Sequence, residues 1–116
     1  MSLYEFKDKM LLRRAFTHRS SDQECNYEKL EWLGDAVLKA VQSEWLLREH
    51  PSKELGALNS IRERVQSNQY FASMCETLGW VGRIKCQKHL SPTVKISADI
   101  FEAVFGAVRA NHELIL

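Results

Sequence analysis

Apolar residues recur every three or four positions along most of this chain, which is the spacing of amphipathic helices. Alternation with a period of two is nowhere sustained, so we expect little or no strand. The pattern predicts one helix over residues 4–16 and a long central helix over residues 27–49, which His50-Pro51 ends. The middle of the central helix, Ala36 to Leu47, is apolar on most sides, and we expect it to be buried.

The second half of the chain is predicted to be helical as well. Ser52 is placed to cap the next helical stretch, which is predicted to break near Ser67 and to end before Gly79. Residues 80–96 are irregular and basic. A last helix is expected from about Ser97 to about residue 110. The chain is therefore expected to be all-α.

Three acidic residues lie at the start of the central helix, ahead of its apolar run. At 100° per residue, Glu28, Glu31 and Asp35 fall within an arc of about 60°. Carboxylates crowded onto one stripe of a largely apolar helix repel one another. One or two divalent cations bound to the stripe would remove that repulsion.

The last helix carries a similar pattern. Asp99 and Glu102 share one face, and so do the small residues Ala103, Gly106 and Ala110. Small residues allow a second helix backbone to come close, and Gly34 in the central helix is a natural counterpart, since glycine costs about 1 kcal/mol there. We therefore expect the acids of the two helices to converge on one metal site. Its expected ligands are Glu31, Asp35, Asp99 and Glu102.

Oxygen-only ligands favour Mg²⁺, with Mn²⁺ as a substitute, over zinc or copper. A few carboxylates leave Mg²⁺ open positions for substrate phosphate oxygens, and a metal can activate water for an in-line displacement. Phosphodiester hydrolysis uses this chemistry. Glu28 lies on the same stripe one turn earlier and is expected to support catalysis by orienting a water or a ligand.

Length and composition narrow the class of protein. With 116 residues the chain is expected to form one domain, residues 1–116. Its net charge of +1, from 16 basic and 15 acidic side chains, neither indicates nor excludes nucleic-acid binding. Three cysteines without metal-site spacing indicate reduced thiols and an intracellular protein. No apolar run is long enough to span a membrane.

Four segments, in this order and spacing, resemble the ribonuclease III endonuclease domain. They are residues 15–20 (AFTHRS), 26–38 (NYEKLEWLGDAVL), 58–68 (LNSIRERVQSN) and 97–108 (SADIFEAVFGAV). The resemblance covers about residues 10–110. It implies an all-helical, dimer-forming domain that cuts both strands of double-stranded RNA with metal-activated water. The expected products carry 5′-phosphates, 3′-hydroxyls and short 3′ overhangs.

The resemblance also assigns roles to residues. Glu31, Asp35, Asp99 and Glu102 match the metal ligands of the family, and Glu28 matches its accessory acid. Trp32, with Leu33, matches the site where an aromatic residue contacts the other subunit. The implied partner is a second copy of the chain or a related ribonuclease III-like domain. Many family members have a glutamate where this chain has Leu55, and no double-stranded-RNA-binding domain follows in this sequence.

Several interpretations remain open at this stage. Basic residues are candidate RNA contacts or simply solvated side chains; they are Arg62, Arg64, Arg83, Lys85, Lys88 and Lys95. His18 is interpreted as a packing or helix-end histidine rather than a catalytic base. The alternative function is a non-catalytic dimerisation subunit of a larger RNA-processing complex. A di-iron bundle is disfavoured because no Glu-x-x-His occurs.

Overall fold

Five α-helices account for most of the described chain, residues 6–87 and 90–113 of a computed structural model. They are α1 (Lys9–Ala15), α2 (Glu28–Glu49), α3 (Leu55–Val65), α4 (Asn68–Thr77) and α5 (Val94–Glu113), with a 3-10 turn at Val81–Arg83. Within these residues, extended pairing is limited to one isolated bridge between Thr17 and Lys85. The expectation of an all-α domain is confirmed.

Capping side chains explain where two of the helices begin. The break predicted near Ser67 is confirmed: Ser67 precedes α4, and its hydroxyl accepts a hydrogen bond from the Tyr70 amide at 3.1 Å. The start of α5 at Val94, three residues earlier than predicted, follows from a cap that the sequence reading missed. The Thr93 hydroxyl accepts from the Ile96 amide at 3.2 Å.

The cap predicted at Ser52 is wrong. The Lys53 amide donates to the His50 carbonyl, so this segment forms a turn after α2. Helix α3 then begins only at Leu55, with Glu54 at the cap position and no side-chain hydrogen bond there. The first predicted helix is also shorter: α1 starts at Lys9, where Asp8 caps it, and residues 4 and 5 lie outside the described residues.

Helices α2 and α5 pack against each other along their lengths and form the centre of the fold. Leu30 of α2 and Ile100 of α5 are fully buried. A second apolar cluster joins α4 to α5, where the rings of Phe71 and Phe101 stack with centroids 5.1 Å apart. Helix α5 is therefore covered on most sides, and its polar residues are held in a fixed place.

The close approach of α2 and α5 depends on two glycines. A Cβ atom at Gly34 would overlap the carbonyl oxygen of Glu102, and one at Gly106 would overlap the carbonyl oxygen of Leu30. The predicted packing of small residues is therefore confirmed. It brings the acid-bearing turns of the two helices together.

The expectation that the middle of α2 is buried is wrong. Leu38 and Leu46 are buried, but Val41, Trp45 and Leu47 are 50–61% exposed. Helix α5 and the shorter α3 cover only part of the surface of α2, so its remaining apolar residues face solvent in a single chain. Among the described helices, none combines the length and apolar character that a bilayer crossing requires.

Candidate metal centre

Three carboxylates meet where α2 crosses α5. One oxygen each of Glu31, Asp99 and Glu102 lies within 4.8 Å of the others. Asp99 and Glu102 are only 4% and 7% exposed, and Glu31 is half-buried. The close contact at the two glycines holds these acids together, because Glu102 belongs to the turn of α5 that lies against Gly34.

Asp35 and Glu28 complete the acidic surface. The side chain of Asp35 hydrogen-bonds to Glu102, and its carboxylate pairs with Lys39 at 3.0 Å. Glu28 is exposed and lies along the edge of the same hollow. The structure therefore places all five acids named from the sequence around one hollow, three of them in the tight cluster.

Two of these acids have pKa values raised to the neutral range. Burial, followed by a hydrogen bond to Asp35, raises the pKa of Glu102 to about 8. Burial and the charge of Asp99 raise the pKa of Glu31 to about 7. Without a bound cation, protons reduce the repulsion among these carboxylates. A divalent cation would do the same while leaving the oxygens ionised.

Lys95 lies in this hollow rather than on the basic loop, where the sequence reading had put it. Its Nζ lies 2.8 and 3.1 Å from the two carboxylate oxygens of Asp99. That hydrogen bond raises the pKa of Lys95. The sequence signal was the i, i+4 spacing, which becomes informative only once α5 is known to begin at Val94. Asn68, the first residue of α4, also lines the hollow and was missed.

The hollow is open to solvent and has a volume of about 680 Å³. Trp32 and Leu33 form part of its rim, next to the acids. Trp32 is 81% exposed, which is unusual for the largest apolar side chain. A substrate or a partner approaching the acids would therefore meet this ring.

The remaining candidate RNA contacts lie outside the acidic hollow. The guanidinium of Arg62 donates to Ser43 and Asn59 across α2 and α3, and Arg64 is exposed nearby on α3. Lys88 falls outside the described residues.

Arg83 and Lys85 line a second hollow of about 420 Å³ beside α1. The Arg83 guanidinium lies 4.7 Å from the centre of the Phe16 ring. Lys9 and Arg13 contribute two further cations to the same hollow. The structure thus divides the candidate RNA contacts among the acidic hollow, α3 and this basic hollow.

His18 is buried and held rigidly. Its ring stacks on Tyr27 with centroids 5.6 Å apart, and its Nδ1 accepts a hydrogen bond from the Ser20 amide at 3.1 Å. Burial and the charge of Arg19 lower the pKa of His18. The packing role inferred from the sequence agrees with these contacts, yet the ring also lies close enough to Glu28 and Asp99 to feel their charges.

Comparison with known proteins places this arrangement in a family. The family model described as "Ribonuclease III domain" matches residues 28–112. Ribonuclease 3 of Nitratiruptor sp. is 33% identical over 110 residues, which cover 90% of this chain and 49% of that protein. Ribonuclease 3 of Caenorhabditis elegans is 33% identical over 114 residues, covering 93% of this chain and 10% of the relative. The chain thus spans about half the length of the bacterial relative, and much less of the nematode one.

Solved structures agree with the sequence comparison. The nuclease domain of ribonuclease III from Campylobacter jejuni superposes with a TM-score of 0.87 at 34% identity, over 93% of this chain and 79% of that one. Dicer from Pichia stipitis superposes with a TM-score of 0.77 at 30% identity, over 99% of this chain and 52% of that one. The chain therefore belongs to the ribonuclease III family, and its fold is that of the nuclease domain.

Proposed function

We propose that this chain is the catalytic domain of an endoribonuclease specific for double-stranded RNA. The observation that carries the proposal is the meeting of Glu31, Asp99 and Glu102 at the crossing of α2 and α5. Buried carboxylates at this spacing cost free energy unless a cation or protons compensate them. Their position in a solvent-open hollow fits a site that works on a large substrate.

The residues present fit a divalent metal. Every donor in the cluster is a carboxylate oxygen, which suits Mg²⁺ or Mn²⁺. Glu31, Asp99 and Glu102 would hold the ion, and Asp35 would join them through the side chain that now bonds to Glu102. When bound, the metal supplies the Lewis acidity for hydrolysis of a phosphodiester by water. Glu28, at the edge, orients groups that enter the hollow.

The working enzyme is proposed to be a pair of such domains. Trp32 stands 81% exposed on the rim, where it would contact a second copy or a related ribonuclease III-like domain. Two copies of the hollow would then act on the two strands of one duplex. The products would carry 5′-phosphates, 3′-hydroxyls and short 3′ overhangs, as the family resemblance implies. We further propose an intracellular location, because RNA is the substrate.

The test is cleavage of labelled duplex RNA by purified protein in Mg²⁺. We expect Asp35→Asn to reduce the rate by at least about 100-fold, because one ligand charge is lost while the shape of the side chain is kept. Glu44→Gln, at an exposed position on α2, is the matched control and should leave the rate unchanged. The thermal midpoint of each variant reports whether the fold is retained. Cleavage by Asp35→Asn at the wild-type rate would refute the site.

Two control reactions complete the experiment: one contains single-stranded RNA, and the other contains duplex RNA with a chelator. We expect neither to be cut. If the wild-type protein binds duplex RNA but cuts it under no metal condition, the alternative of a non-catalytic dimerisation subunit replaces the proposal. The structure offers no observation that favours that alternative, because every acid of the candidate site is present.

A further inference from the structure

A third hollow adjoins the acidic one, and the two share a residue. It has a volume of about 520 Å³ and is lined by His18, Arg19, Ser20, Gln23 and Glu28. Glu28 also lines the acidic hollow. A polymer whose reacting bond lies over the acids could therefore continue past Glu28 into this third hollow. Its lining differs from that of the first, because most of its members can donate hydrogen bonds.

His18 offers a donor in a fixed direction. The Ser20 amide donates to its Nδ1, so the neutral ring carries its hydrogen on Nε2. The hydrogen bonds that His18 makes with described residues through its ring involve Nδ1, and the residue lines the hollow. The stack on Tyr27 and the hydrogen bond from Ser20 hold the ring in this orientation. The Nε2–H of a ring at the wall of an open hollow is available to a ligand that accepts a hydrogen bond.

The other members of the lining complement this donor. Arg19 is exposed at the side of the hollow and brings a full positive charge. The Ser20 hydroxyl accepts from the Gln87 amide at 3.1 Å, which ties the hollow to the segment after the 3-10 turn. The lining is thus suited to a ligand that carries both a hydroxyl group and an anionic group.

We propose that this hollow is a subsite for the nucleotide next to the bond that is cut, with His18 Nε2–H donating to its ribose 2′-hydroxyl and Arg19 pairing with its phosphate. The inference rests on the proposed function, because it assumes that RNA lies over the acids. A neutral N–H donor suits a neutral hydroxyl, and a guanidinium suits a phosphate. The 2′-hydroxyl distinguishes RNA from DNA, so this subsite would contribute to the choice of substrate. His18 and Arg19 are substrate-binding residues in this scheme.

The first test needs no change to the protein. A set of duplex RNAs is prepared, each with a single 2′-deoxy nucleotide at one of about three positions on either side of the cleavage site. The rate at which the wild-type protein cuts each duplex is measured under single-turnover conditions. We expect one position adjacent to the cut bond to lower the rate about five- to tenfold, which corresponds to one lost hydrogen bond. The other positions should change it less than about twofold.

The variant His18→Phe tests whether His18 is the group that contacts the sensitive 2′-hydroxyl. Phenylalanine keeps the stack on Tyr27 but removes the donor. The variant should cut the all-ribose duplex more slowly, and the sensitive 2′-deoxy duplex should then give no further loss. Such non-additivity is expected only if both changes remove the same contact. A merely structural role of His18 would leave the full deoxy penalty in place.

Arg19→Gln provides an independent arm that does not disturb the buried ring. We expect it to raise KM about three- to tenfold with little change in kcat, because it contacts the bound strand rather than the reacting atoms. Arg48→Gln, an exposed arginine in the last turn of α2, removes the same charge away from this hollow and is the matched control. Equal effects of the two arginine variants would overturn the phosphate contact.

The outcomes separate this inference from the proposed function. If the wild-type protein cuts duplex RNA and no 2′-deoxy position matters, the proposed function stands and the subsite is refuted. If His18→Phe folds and keeps the full deoxy penalty, the hydroxyl contact is not made by His18. If His18→Phe does not fold, the 2′-deoxy scan and the comparison of Arg19→Gln with Arg48→Gln test the subsite. If the wild-type protein cuts no RNA, both proposals fail together.

Discussion

Two lysines make the same contact with an aspartate one helical turn away, but their surroundings differ. Lys39 pairs with Asp35 at 3.0 Å, and the side chains are 60% and 49% exposed. Lys95 pairs with Asp99 at 2.8 Å; the lysine side chain is 67% exposed, but the aspartate side chain is only 6% exposed and two more acids are near. The first pair is screened by water and contributes little. In the second pair, the ammonium stands where a cation is proposed to bind.

We predict that Lys95→Ala tightens binding of Mg²⁺ to the protein about three- to tenfold, because a positive charge beside the site is removed. The same change should lower the thermal midpoint of the metal-free protein, since Asp99 loses its partner. Titration calorimetry with Mg²⁺ and thermal unfolding in a chelator measure the two effects. Lys39→Ala is the control and should alter both less. Weaker Mg²⁺ binding by Lys95→Ala would show that the lysine supports the metal instead of competing with it.

Much of the acidic site could be predicted from the sequence, because helical periodicity fixes which residues share a face. Glu31, Asp99 and Glu102 were placed together on that ground, and their oxygens lie within 4.8 Å of one another. The lysine in the hollow was not predicted, since its position depends on the Thr93 cap and not on periodicity. The position of His18 at the wall of a hollow also depends on tertiary contacts.

At the scale of the helix pair, the fold depends on two positions without a side chain. We predict that Gly34→Ala and Gly106→Ala each lower the free energy of unfolding by at least about 2 kcal/mol, because the added Cβ would overlap backbone of the facing helix. The loss should exceed the helix-propensity gain of about 1 kcal/mol from replacing glycine. Urea unfolding followed by circular dichroism gives the value. If the helices move apart, Mg²⁺ binding should weaken as well.

Gly56 is the matched control for that prediction. It lies in the first turn of α3, and a Cβ there would meet nothing within 4 Å. Gly56→Ala should therefore leave stability unchanged or raise it by up to about 1 kcal/mol. A similar loss at Gly56 and Gly34 would mean that the close helix contact is not what makes Gly34 necessary.

The number and order of helices could be predicted from periodicity, but the exposure of α2 could not. An apolar run such as Ala36 to Leu47 predicts burial. The hydrophobic pattern alone does not show how many neighbouring helices are available to cover it. In the single chain, α5 and α3 leave Val41 and Leu47 more than half exposed. The Ser52 cap failed for a similar reason, since a turn at His50 competes with it.

At the scale of the whole molecule, protons and metal compete for the same carboxylates. The pKa of Glu31 is raised to about 7 and that of Glu102 to about 8, both from about 4.5. From about pH 4.5 to about pH 8 the folded chain binds more protons than the unfolded chain, so the free energy of unfolding falls as pH rises. We predict a thermal midpoint of the metal-free protein roughly 5 °C lower at pH 8.5 than at pH 5.5.

Mg²⁺ should reverse that trend, because it binds only the ionised carboxylates. The stabilisation by saturating Mg²⁺ is expected to grow with pH across the same interval. Glu102→Gln, which cannot lose a proton, should flatten the pH profile in the absence of metal and reduce the response to Mg²⁺. A midpoint that rises with pH in the metal-free wild-type protein would contradict the assignment of the shifted groups.

Self-association is expected to depend on the exposed ring beside the acids. Trp32 is 81% exposed, and transferring an indole of this size from water to an interface is worth about 2–3 kcal/mol. We predict that Trp32→Ala weakens dimerisation at least about 30-fold in sedimentation velocity over a range of concentrations. Cleavage at low protein concentration should fall in parallel and recover as concentration rises. Such recovery is expected only if two chains must meet for activity.

Trp45 supplies the control, since it lies on the same helix and is 50% exposed. Thirteen residues of α-helix separate the two rings by about 20 Å and turn them to opposite sides of α2. Trp45→Ala should therefore leave the association constant within about threefold of the wild-type value. If the wild-type chain alone is a monomer at tens of micromolar, roughly the range of weak specific pairs, Trp32 would serve a related partner domain instead. Mixing with that domain should then bury the indole, and quenching or a blue shift of Trp32 fluorescence relative to Trp32→Ala would report it.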